Sequence, residues 1–216
     1  MKKEKVHSCT SCGVINCASL TSQFPSFCPT SKFHESNCDT ISQYQGDDQD
    51  GILARASAEI EGLYYKEITR VEEIIHFAKR IGAKKIGIAT CKGLLQEAKF
   101  FSQILEAKGI EYYSVICKVG ANDKSVMGLK DCYKINKGEG HETMCNPILQ
   151  AKILNAEKTD LNVVIGLCVG HDSLFYKYSD AIVTTLITKD RVLGHNPVAA
   201  LYTMPSYYSH LLKENS

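Results

Sequence analysis

The stretch KKIGIAT, residues 84–90, runs straight into Cys91, and its reading decides the fold. Ile86, Ile88 and Ala89 make a short apolar run beside Gly87, suited to a buried strand. Gly93–Lys108 follows with helical spacing and ends at Gly109. Glu111–Lys118 (EYYSVICK) reads as a second strand and residues 119–143 as a long polar, Gly-rich loop. Cys145–Ala156 reads as a helix, Leu161–Cys168 (LNVVIGLC) as a third strand and Ala181–Thr188 as a fourth. Strands alternating with helices imply an α/β fold. The expected architecture is a small doubly wound, mostly parallel sheet of about four to five strands with helices on both faces.

Upstream, residues 47–82 read as helical. Ile52, Leu53, Ala56, Ile60 and Leu63 recur at helical spacing after an Asp-rich start. A second helix, roughly 68–81, carries Val71, Ile74, Ile75 and Ala78 on one face, with Gly82 as its stop. Residues 1–46 differ. They hold Cys9, Cys12, Cys17, Cys28 and Cys38 among many Ser, Thr and Asn, with weak apolar periodicity. Such a segment needs a staple in place of a core. Two domains are expected: a Cys-rich metal-binding module over 1–46, and a three-layer α/β domain over 47–216 with Cys at its strand ends.

The bulk numbers narrow the function. Ten Cys in 216 residues is dense, while 25 basic against 24 acidic residues give a net charge of +1. That balance argues against nucleic acid as a partner. No apolar run follows the opening MKKEKVHSCT, and no stretch approaches the roughly 18 apolar residues of a membrane helix. A cytoplasmic location is therefore expected, where dense Cys reads as metal ligands or redox thiols. No glycine-rich dinucleotide fingerprint, phosphate-binding Gly-Lys-Ser/Thr loop or Gly-x-Ser-x-Gly elbow occurs.

Two cysteine constellations stand out. Cys9-x2-Cys12-x4-Cys17-x10-Cys28-Pro29 offers a tetrahedral four-sulfur set, suited to zinc or an iron–sulfur cluster. His7, His34 and Cys38 are possible substitutes, and scattered free thiols are the plainer reading. The second set is topological. Cys91, Cys117 and Cys168 lie at strand carboxyl ends, and Cys145 opens a helix that starts on the same side. Ligands of open parallel sheets bind in the crevice beyond those ends. Single buried Cys are common in cores, but four at one edge point to a metal centre or a redox dithiol. His171 and His195, in Cys168-Val-Gly-His171-Asp172 and Gly194-His195-Asn-Pro, are the candidate catalytic residues, as proton donors or extra ligands. Lys118, Lys189, Asp190 and Arg191 sit near loop ends where an anion could be met. Cys132 fits neither set.

The stretches CTSCGVINCASL (9–20), IGIATCKGLLQEA (86–98), HETMCNPILQAKILN (141–155), LNVVIGLCVGHDSLFYKYSDA (161–181) and KDRVLGHNPVAALY (189–202) together resemble a prokaryotic family, domain-of-unknown-function family 1847. The resemblance implies metal binding and supplies no reaction. The resulting expectation is an iron–sulfur protein, with four-iron clusters at both sites and zinc as the alternative. Redox chemistry or desulfuration of a small molecule, with a small-molecule or electron-transfer partner, is one possibility. A structural or carrier role without catalysis is the other.

Overall fold

The computed structural model describes residues 7–19 and 23–213. Contacts divide the chain into two compact units, one up to Leu63 and one from Tyr64 on. Composition changes earlier, at 46/47.

In the first unit, Cys9–Ser11 and Asn16–Ala18 are short 3-10 turns. They precede helices α1 (Pro29–Lys32), α2 (His34–Gln45) and α3 (Gln49–Tyr64). Pro29 opens α1 where its missing N–H costs nothing. No residue of α2 is buried, so no apolar stripe announces it. Within α3, Ala56 and Ile60 are buried one turn apart, as the spacing predicts.

The second unit holds α4 (Arg70–Arg80), β1 (Lys85–Thr90), α5 (Leu95–Ala107), β2 (Glu111–Ile116), α6 (Pro147–Ala156), β3 (Leu161–Ile165), α7 (His171–Tyr178), β4 (Ile182–Ile187) and α8 (Val198–Tyr202). The four strands form one parallel sheet in the order β2-β1-β3-β4. Strand order therefore reverses between β1 and β3. The first crossover leads outward to β2 and the second returns across β1, so right-handed connections put α5 and α6 on opposite faces. The core joins Ile74, Ile75 and Ala78 of α4 to Ile86, Ile88, Phe101, Leu105, Val163, Ile165 and Phe175.

Local chemistry explains the element ends. Thr69 and Glu72 form a reciprocal capping box at the start of α4, and Gly82, at φ +74°, follows its end. Thr69→Ala is expected to cost about 1 kcal/mol, read from the urea midpoint. Asn146 caps α6 through the Leu149 N–H, so this helix starts at Pro147, two residues after Cys145. β3 ends at Ile165, before Cys168, because Gly166 turns there with φ +66°. A Cβ on Gly166 would stand 1.9 Å from Leu94 Cδ1. The 119–143 loop is more ordered than its composition suggests. It contains 3-10 turns at Lys124–Met127 and Asp131–Tyr133 and a bridge between Asp123 and Thr143.

Gln150 of α6 is fully buried under the carboxyl edge of the sheet. Its Nε2 donates to the carbonyls of Val115 (2.7 Å) and Thr90 (3.2 Å), bridging β2 and β1 where they end. Its Oε1 has no partner among the described residues. Gln150→Leu removes the bridge and is expected to cost about 2 kcal/mol in denaturant unfolding.

Candidate metal centre at the sheet edge

Parallel register brings the first two thiols together. Thr90 of β1 pairs with Ile116 of β2, so the next residues, Cys91 and Cys117, leave the sheet side by side. The Cys117 N–H donates to the Thr90 carbonyl (2.8 Å) and extends the ladder by one bond. The Asn146 N–H donates to the Cys117 carbonyl (2.8 Å), which draws Cys145 in across a 28-residue separation. Cys117 Sγ and Cys145 Sγ stand 3.8 Å apart. Cys117 Sγ also accepts from the Lys92 N–H at 3.3 Å. Cys91 and Cys117 are buried and Cys145 half-buried.

Cys117 is the shared partner of the other two, and the electrostatics follow from that. The proton stays on Cys117, whose pKa is pushed up by Cys145, then Cys91, then burial. Cys91 is drawn down to about 5, first by its hydrogen bond with Cys117 and then by the Gly93 N–H and the Lys189 ammonium, against burial. Cys145 is drawn down to about 3 by Cys117 and then the His171 side chain, with Lys118 adding positive charge. Two thiolates flank one thiol, and the three titrate as a set. Thiolate ultraviolet absorbance of metal-free protein is expected to persist well below the free-thiol value of about 8.5. The share carried by Cys91 should fall as pH approaches about 5, and that of Cys145 only below it. Loss of the whole signal near pH 8 would contradict the arrangement.

Cys168 keeps different company. It is half-buried, three residues past β3, and its Sγ accepts from Arg191 Nη2 at 2.9 Å. His171 opens α7 and faces Cys145, while Asp172 Oδ1 accepts from the Gly170 and Ser173 N–H groups. His195, at φ +65°, uses Nδ1 to accept the Asp190 N–H (3.1 Å), which holds the loop after β4 in shape. His171 is thus beside the thiols, and His195 acts on its own loop.

In the first unit, Cys9 and Cys17 are exposed, Cys12 is half-buried and Cys28 is buried. The Cys28 thiol is lowered chiefly by hydrogen bonding to the Thr30 hydroxyl. Cys38 Sγ lies 3.9 Å from His34 Nδ1 across one turn of α2. Cys132 is exposed in the 119–143 loop. Among the described residues, no three His, Cys, Asp or Glu side chains stand in a ready metal-holding arrangement. None of the ten cysteines is in a disulfide.

The family described as "Protein of unknown function (DUF1847)" matches residues 28–186. The chain belongs to this family. The matched span includes Cys28, Cys91, Cys117, Cys145, Cys168 and His171. Cys9, Cys12, Cys17 and the 189–202 stretch lie outside it, so the match is shorter than the resemblance read along the sequence. An uncharacterized protein of Methanocaldococcus jannaschii is 56% identical over 162 residues, covering 75% of this chain and 80% of that protein. No solved structure matches. Among the described residues, no helix is long and apolar enough to cross a membrane.

Proposed function

We propose that this DUF1847 protein binds a metal through thiolates at the carboxyl edge of its sheet, with Cys91, Cys117 and Cys145 as sulfur ligands and His171 completing the set. The observation that carries this reading is the 3.8 Å separation of Cys117 and Cys145. Metal–sulfur bonds of about 2.3 Å at a tetrahedral angle put two sulfurs about 3.8 Å apart, so one ion fits both. The lowered Cys91 and Cys145 thiols support it, because thiolate is the ligating form. Cys91 and the His171 side chain both interact with that pair, Cys91 through Cys117 and His171 through Cys145.

Sulfurs in contact suit an ion shared by both, as in a zinc site or one iron of a two-iron cluster. A four-iron cube seats each thiolate on its own iron. A Cys3His zinc set is closed and gives a structural or carrier role, whereas an iron–sulfur centre would support electron transfer. The N-terminal cysteines would form a separate site in their own unit.

Metal and acid-labile sulfide analysis with a visible spectrum, on protein purified without oxygen, tests the proposal. Zinc without sulfide supports the closed site, and iron with sulfide supports the redox reading. No bound metal in freshly purified protein, with all ten thiols titratable, overturns it.

A further inference from the structure

The geometry points to an anion-binding subsite beside these thiols, built by Lys189 and Arg191 and suited to a small carboxylate-bearing molecule. The site lies at the β1/β3 reversal, where parallel sheets open a crevice. Gly166 N–H donates to the Ile187 carbonyl, so the chain leaving β4 starts beside the chain leaving β3. From there the loop sends its two cations onto two different cysteines. The Lys189 ammonium reaches Cys91, passing so close to Gly93 that a Cβ there would be 3.3 Å from Nζ. The Arg191 guanidinium rests on Cys168 by one N–H.

The loop is shaped to hold those cations. Asp190 Oδ1 accepts from the Val192 and Leu193 N–H groups, and the Asp190 carbonyl accepts the His195 N–H. Its carboxylate is thereby turned into its own turn and does not neutralise either neighbour. Asp172 is likewise occupied by backbone N–H groups. Arg191 is exposed and spends one of its five N–H donors on Cys168, leaving a fork that matches a planar carboxylate. Lys189 adds a second positive charge on the Cys91 side. Cys168 is in this arrangement the thiol that faces the bound anion.

Alkylation of Cys168 provides the test, with iodoacetate as the anionic probe and iodoacetamide as its neutral counterpart. Peptide mass spectrometry on the full chain reads both rates, and their ratio cancels any change in the thiol's own reactivity. In native protein the iodoacetate-to-iodoacetamide ratio at Cys168 is expected to exceed that of the urea-unfolded chain about tenfold, the scale of one charge-assisted hydrogen bond. Arg191→Gln should bring the ratio most of the way down to the unfolded value, leaving only the share of Lys189. Arg191→Lys, which keeps the charge and loses the fork, should retain part of it and guards against a folding defect. A native ratio equal to the unfolded one, or a ratio unchanged in R191Q, overturns the subsite. The ratio is read whether or not metal is bound, so failure of the metal proposal leaves this result standing.

Discussion

On the proposed reading, Cys117→Ser is expected to abolish metal binding at the sheet edge while the fold survives. Cys117 is the only thiol in contact with both others, and the backbone that carries it is already fixed by the Thr90 and Asn146 hydrogen bonds. Serine fits the same space and leaves those two backbone bonds intact. It loses the soft, readily ionised sulfur that zinc and iron prefer. Changing a residue that merely orients a ligand costs roughly 10–100-fold in affinity, so removing a central ligand should cost more than about a hundredfold. Competition with a chelator measures the affinity, and circular dichroism confirms the fold. Cys132→Ser, in an exposed loop, is the control and should leave metal affinity unchanged. Equal retention in both variants would remove the sheet edge as the binding site.

The largest structural effect is expected from Gly87→Ala in β1. A Cβ at this position would lie 1.9 Å from Asn162 Oδ1 and 2.9 Å from Leu154 Cδ1. Neither neighbour can retreat. Leu154 is fully buried, and Asn162 is held by Thr159 (2.8 Å) and by the Ser179 hydroxyl, to which its Nδ2 donates at 2.7 Å. Displacing that amide would leave buried polar atoms unpaired as well as overpacking the α6 face. The expected loss is about 3 kcal/mol or more in denaturant unfolding. Gly62→Ala, in α3 with nothing near its Cβ, should instead stabilise its helix by about 0.5–1 kcal/mol. Similar values for the two would mean that the Gly87 contact is not tight.

Much of the fold was legible without coordinates, because periodicity and punctuation are local. Apolar runs at 85–90 and 161–165 carry their own signature, and Gly82 and Gly109 mark the ends of α4 and α5. α2 was not legible, because a helix with no buried residue leaves no stripe to read. The strand ends were read too long at Cys168, since apolar Leu167 continues the run after Gly166 has already turned the chain.

The sequence alone determined that parallel strands would deliver Cys91, Cys117 and Cys168 to one edge of a sheet, because a thiol placed after each strand must emerge on the same side. Tertiary structure alone decided which thiols meet. Strand order puts β2 beside β1, and register then sets Cys117 against Cys91. The Asn146–Cys117 bond adds Cys145, and the loop after β4 gives Cys168 to Arg191. Adjacency between strands depends on crossovers that span tens of residues, and no local pattern encodes where such a crossover lands.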